Sequence, residues 1–171
     1  MTAAPTERAV EKFLAYFDEI RRAYRTIAGR ELEMHKDTEP NCLATVFERV
    51  WALESRGPDF LGEVLHELVW GQCLGNGNHR TSVLFLRTFV GFVGIEFPSP
   101  GERAPLFARS LDQWIGRSQA LIRRRGEPGF AQARLEPKHR EVTKGWVTEE
   151  LADQSAALAM IGAQRLMDFI S

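Results

Sequence analysis

The chain has two cysteines, Cys42 and Cys73, too few for a disulfide framework and not in a C-x-x-C pair. That favours a reduced, cytoplasmic protein over a disulfide-stapled one. No apolar run is long enough to cross a bilayer. The longest apolar-rich stretch, residues 83–97, is broken by Arg87, Thr88 and two glycines. The start, "MTAAPTERAVEKF", has no cationic segment leading into an apolar one, so no signal peptide is expected. Charge of one sign is also lacking: 22 Lys and Arg face 23 Asp and Glu, a formal charge of -1. This argues against a generally basic nucleic-acid binder. None of the four histidines stands in H-x-x-x-H spacing and no serine in a G-x-S-x-G turn, so neither a metal centre nor a nucleophile elbow is indicated.

What is present is helical period. The 171 residues are 44% apolar and 26% charged, ordinary for one soluble domain with a core of its own. Residues 9–27 place Val10, Phe13, Leu14, Phe17, Ile20, Tyr24 and Ile27 three and four apart, and Gly29 ends the pattern. Residues 30–40 read as a polar loop. Asn41, Asp59 and Asn78 are candidate caps for helices two, three and four, the last reaching about Gly94. After the break "PSPGERAP", residues 106–122 make a fifth helix with Phe107, Leu111, Trp114, Ser118 and Leu121 on one stripe. Residues 126–146 carry little pattern. Residues 147–170 read as a last helix whose alanines, Ala152, Ala156, Ala157, Ala159 and Ala163, suit close packing against the core. The expectation is a single all-α domain, a compact bundle with its core at about 30–125 and the fourth helix buried at its centre.

The most informative stretch is "LGNGNHRTSVLFLR", residues 74–87: a loose polar turn directly before an apolar helix. The first amides of a helix lack intrahelical partners and sit at the positive end of its dipole. Glycines let such amides converge and let a phosphate come close. Arg80 would add a charged contact from the first turn. The plain alternative is turn chemistry with Asn78 as an ordinary cap.

The same residues carry a family resemblance. "GNHRTSVLFLRTFVGFVGIEF" is similar to the Fic/Doc (death-on-curing-like) family, whose signature is H-x-F-x-(D/E)-G-N-(G/K)-R followed by Thr and an apolar helix. Gly77, Asn78, Arg80 and Thr81 match that signature, and His79 takes its variable place. "PNCLATVFERVWAL" and "LHELVWGQCL" resemble the helices before the motif, so the likeness spans about residues 30–100. It departs where the chemistry lies. Gln72 occupies the family's histidine position, Leu74 its phenylalanine and Asn76 its acidic residue.

The resemblance implies a Fic/Doc-like helical fold, with Gly75, Gly77, Asn78, Arg80 and Thr81 binding phosphate and ATP or another nucleotide as ligand. In the family the histidine takes a proton from a target protein's hydroxyl, which then attacks a nucleotide phosphate, while the acidic residue holds Mg²⁺. Gln72 cannot accept that proton, and loss of a general base costs about 10²–10⁴-fold. Asn76 offers Mg²⁺ only an uncharged oxygen. A pseudo-enzyme that binds a nucleotide or a partner is the first reading. An AMP- or phosphoryl-transferase with altered chemistry is the second, with His79 as substitute base. A helical interaction module is the third. A protein target or an antitoxin-like partner fits the first two.

The remaining polar residues read more plainly. His79 on a first turn is expected to face solvent. His66, six residues before Gln72, points about 120° away from it and is expected to be structural or exposed. His35, Asp37 and Glu39 belong to a solvated loop. The basic residues Arg117, Arg123 to Arg125, Lys138, His139, Arg140 and Lys144 read as a solvated helix end.

Overall fold

The computed structural model describes residues 4–98, 104–128 and 132–171. Among them there is no strand, and eight α-helices account for most of the chain: α1 (Pro5–Ala28), α2 (Pro40–Trp51), α3 (Gly57–Trp70), α4 (Asn78–Phe92), α5 (Phe107–Arg123), α6 (Gln132–Glu150), α7 (Ser155–Leu158) and α8 (Ala163–Ile170). The protein is an all-α bundle.

The helices form where a four-residue apolar repeat coincides with a start or stop signal. In α1, Ala9, Phe13 and Phe17 are buried at that spacing. Pro5 opens it, and Gly29 closes it at φ 66°, its amide donating to the Arg25 carbonyl at 3.0 Å. In α2, Leu43, Val46, Phe47 and Val50 are buried. Phe13, Phe47 and Phe85 meet edge to face with centroids 5.6 to 6.1 Å apart, an arrangement worth about 0.5–1.5 kcal/mol per pair beyond burial. A second centre stacks Trp114 of α5 on Trp146 of α6 at 4.6 Å.

The helix enclosed on most sides is α3, in which every residue from Phe60 to Trp70 except Glu63 is buried. It runs against α4 on one side and α6 on another. At the α6 contact a Cβ on Gly62 would stand 2.8 Å from the Lys144 Cα, so only glycine allows the approach.

Several sequence expectations are corrected. Asn41, Asp59 and Asn78 are not caps. The helices begin at Pro40, Gly57 and Asn78, and no side chain caps their first turns. Residues 132–146, within the stretch expected to lack pattern, join 147–150 in α6, whose buried positions Leu135, His139, Thr143, Trp146 and Val147 keep the helical repeat. Two of those positions are polar, which hides the repeat from an apolar count. The single helix expected over 147–170 is three pieces. The chain turns after Glu150 and again between Leu158 and Ala163, because Leu158 and Ile161 bury and the Ile161 carbonyl accepts the Gly57 amide at 2.8 Å. Its alanines do not pack closely: Ala152, Ala156, Ala157 and Ala159 are exposed and Ala163 is half-buried. Cys42 and Cys73, expected to be reduced, are joined in a disulfide between α2 and the loop before α4. Most of the break at "PSPGERAP" lies outside the described residues. No described helix is long and apolar enough to cross a membrane.

Candidate functional site

The turn between α3 and α4 opens on a cleft of about 730 Å³. One wall is the far end of α1, with Ile20, Tyr24 and Ile27; the opposite wall is α5, with Asp112, Ile115, Gln119, Ile122 and Arg123. The floor is the turn itself, residues 75–80. Apolar side chains therefore line two sides of a pocket whose floor is backbone and polar groups.

At that floor α4 starts without a cap. Gly77 takes φ 75° to begin the helix, and no side chain reaches its first amides. The first intrahelical bond is Thr81 N–H to the Gly77 carbonyl at 2.9 Å, which leaves the amides of Asn78, His79 and Arg80 without intrahelical partners. Arg80 is exposed at the edge of the cleft, and neither it nor Arg123 is ion-paired among the described residues. The electrostatics of the floor are positive.

The other motif residues are occupied. Gln72 has φ 51°, and its Nε2 donates to the Val69 carbonyl at 2.6 Å, closing the end of α3. Asn76 donates to the Glu33 carbonyl at 2.9 Å and accepts the Gly77 amide at 2.6 Å. The Gly77 amide is thus spent within the turn. Asn78 exchanges two bonds with the backbone of Leu74, both at 3.0 Å, bracing the loop. Thr81 is fully buried and does not line the cleft. Gly75 is needed because the Lys36 carbonyl of the 30–39 segment presses on it. That segment is strapped over the turn by His35 N–H to the Gly75 carbonyl and Glu39 N–H to the Cys73 carbonyl, at 3.2 and 2.9 Å. Of its polar side chains, His35 lines the cleft; His35, Asp37 and Glu39 are exposed.

For Mg²⁺ the donors do not fit. The Asn76 oxygen is taken by Gly77, and the one carboxylate lining the cleft among the described residues, Asp112, stands on the opposite wall. The turn therefore offers a divalent ion no set of oxygens on one side.

Behind the floor lies a cluster that the sequence did not indicate. His79 does not face solvent: it is buried, with its Nε2 2.7 Å from Ser118 Oγ. Ser118 Oγ is also 2.6 Å from His139 Nε2, and His139 Nδ1 is 2.8 Å from His66 Nδ1. Four side chains from α4, α5, α6 and α3 thus form one buried hydrogen-bonded row. Burial lowers His79 to about 4. Burial, then neighbouring positive charge, lowers His139 and His66 to about 3, so all three are neutral imidazoles at pH 7. The one trace in the sequence is Ser118, a hydroxyl on an otherwise apolar stripe.

At the end of the row, His66 Nε2 faces Glu67 and Glu136, although no metal-ligand spacing joins these residues in sequence. Arg117, Arg123, Arg124 and Lys138 are exposed, as expected of a solvated helix end, but the basic residues nearest these carboxylates are engaged. Arg140 pairs with Glu67 and Glu136, Lys144 with Asp59 and Glu63, and Arg125 donates to the Trp70 carbonyl while lying over its ring.

No curated protein and no solved structure matches the chain. One family does match, over residues 3–157, and the chain belongs to it: the family of unknown function DUF8172.

Proposed function

We propose that the cleft at the start of α4 binds a phosphate-bearing ligand of nucleotide type without carrying out the Fic/Doc transfer. The observation that carries this reading is the uncapped N-terminus of α4 opening into a cleft with unpaired Arg80 and Arg123 at the polar end and apolar walls beyond. A phosphate suits the amides and the arginines. A base or other flat apolar group suits Tyr24, Ile115 and Ile122. Gln72 and Asn76 stand where the family has its base and its acid, and both are tied to backbone groups, so what remains for a ligand is the uncapped helix start and Arg80, without the motif's chemical parts.

Transfer with His79 as base is the second reading, favoured by the hydrogen-bonded row behind it. A histidine lowered to about 4 is a weak proton acceptor at neutral pH, so binding is the better-supported function. A protein target or antitoxin-like partner would act through the bound state.

The test is a thermal-shift series with ATP, ADP and inorganic phosphate, with and without Mg²⁺. A rise in Tm in the wild type, lost in Arg80→Ala, is expected. Arg80 is exposed, so that variant keeps its fold. No shift with any of the three would remove the ligand-binding reading. Labelled ATP with cell lysate separates the two readings: label on a protein, absent with Arg80→Ala, would mean that transfer occurs.

A further inference from the structure

His66 is fully buried, and its Nε2 has no hydrogen-bond partner. An enclosed imidazole nitrogen is seldom left so. It is aimed at two carboxylate oxygens, Glu136 Oε1 at 3.9 Å and Glu67 Oε1 at 4.0 Å, and the three ligand atoms lie within 4.8 Å of one another. Those gaps are too long for hydrogen bonds, and a closure of roughly 0.6 Å would bring them to about 3.3 Å, the separation of tetrahedral donors around Zn²⁺. We propose that His66, Glu67 and Glu136 form a binding site for a divalent first-row transition ion such as Zn²⁺.

The surroundings suit each ligand to that task. Arg49 Nε holds Glu67 Oε2 at 2.8 Å, fixing the carboxylate and leaving Oε1 to be shared between Arg140 and an ion. His66 Nδ1 lies 2.8 Å from His139 Nδ1; in the tautomer a metal requires, the His66 proton sits on Nδ1 and is donated there, and the Nε2 lone pair faces the carboxylates. A hydrogen bond from the far ring nitrogen is the usual outer contact of a metal-bound histidine. A bare lone pair opposite two carboxylates is repulsive, and a cation between them removes the repulsion. One imidazole and two carboxylate oxygens leave a further position open to water, a donor set for Zn²⁺, Mn²⁺ or Fe²⁺.

Arg140 marks the same spot. Its Nη2 lies 3.3 Å from Glu67 Oε1 and 3.4 Å from Glu136 Oε1, touching both proposed carboxylate ligands. It is one-third exposed beside an open groove along α6, into which it can swing to let an ion in. Arg140 therefore competes with the metal, and that gives the proposal its sharpest test.

The experiment titrates ZnCl2 into the EDTA-stripped full chain by calorimetry, for wild type, Glu136→Gln and Arg140→Gln. Glu136 is partly exposed, so its amide variant keeps the helical circular dichroism. One equivalent of Zn²⁺ is expected in the wild type, bound about tenfold or more weakly in Glu136→Gln and more tightly in Arg140→Gln. X-ray absorption should show one imidazole in an otherwise oxygen shell. No binding in either the wild type or Arg140→Gln would overturn the proposal. So would equal binding by Glu136→Gln, which would place the ion elsewhere, as on exposed His35. Neither result touches the cleft, whose ligand is read separately by its own thermal shifts.

Discussion

Gly75 and Lys36 touch backbone to backbone: a Cβ on Gly75 would fall on the Lys36 carbonyl oxygen. The contact shows why a glycine stands at this point of the turn. It lets the 30–39 segment lie over the turn, where the Asn76 side chain and two backbone bonds secure it. Gly75→Ala must push the two strands of chain apart. The expected loss is about 1–3 kcal/mol of stability, with faster hydrogen exchange confined to residues 30–39 and 72–77. An unchanged Tm with unchanged exchange would mean that the segment yields without cost and does not shape the cleft.

His79 gives the fold a defined acid sensitivity. It is buried against Ser118 and Trp114 of α5, with His139 of α6 next in the row, while Arg80, Asp112 and Arg123 line the cleft beside it. Burial lowers it from 6.5 to about 4. The unfolded chain therefore binds this proton more readily than the folded one. The stability the neutral ring allows is complete above pH 6.5 and falls as pH drops from 6.5 towards 4, by about 2 kcal/mol at pH 5. Urea unfolding of the EDTA-treated protein at pH 7.5 and pH 5 should show at least that loss, to which His66 and His139, lowered further still, add in the same direction. His79→Gln should remove about 2 kcal/mol of the total. An equal pH dependence in the variant would show that His79 does not carry the effect.

Five of the helices were legible because their apolar residues recur at three and four: Phe13 and Phe17, Val46 and Val50, Leu61 and Leu65, Leu86 and Val90, Leu111 and Ile115. The sixth was not. Its inward face is built from His139 and Thr143 as well as Leu135 and Val147, so polarity and position disagree. The glycine turn was legible as the start of a helix and as a polar floor. Which of its amides would be spent was not, because that depends on Glu33 and His35 approaching from about 40 residues away in sequence. The histidine row was hidden for the same reason. Its contacts join residues 39, 21 and 73 apart, and no local spacing encodes that. Even the cysteine pairing depended on fold rather than count, since α2 and the turn meet only once the bundle is formed.

The disulfide between Cys42 and Cys73 closes a loop with a sequence separation of 31. Cross-linking a loop of that length stabilises by about 3–4 kcal/mol through the unfolded chain. Cys42→Ser with Cys73→Ser should lower the unfolding free energy by about that amount, and dithiothreitol should do the same to the wild type. Because Cys73 precedes the turn directly and its carbonyl accepts the Glu39 amide, the weakened region should include the floor of the cleft. Two free thiols by mass spectrometry of the purified, unreduced protein would contradict the pairing.

The hydrogen-bonded row also joins the two proposed sites, and its polarity follows from the metal. A Zn²⁺ ion on His66 Nε2 fixes a proton on His66 Nδ1, which is donated to His139 Nδ1. The remaining His139 proton, on Nε2, goes to Ser118 Oγ, and the Ser118 hydroxyl donates to His79 Nε2. Neutral His79 then keeps its own proton on Nδ1, a nitrogen with no hydrogen-bond partner among the described residues, in a residue that lines the cleft. Metal at one end makes the other end a hydrogen-bond donor, which suits a phosphate. AMP, a poor chelator of Zn²⁺, should therefore bind about tenfold more tightly when one equivalent of Zn²⁺ is present, the gain from one charge-assisted hydrogen bond. Ser118→Ala breaks the row in the middle while leaving both sites in place, so it should keep AMP and Zn²⁺ binding but abolish the coupling. If Zn²⁺ tightens AMP equally in that variant, the ion acts on the cleft by another route and the row is only a packed core of neutral imidazoles.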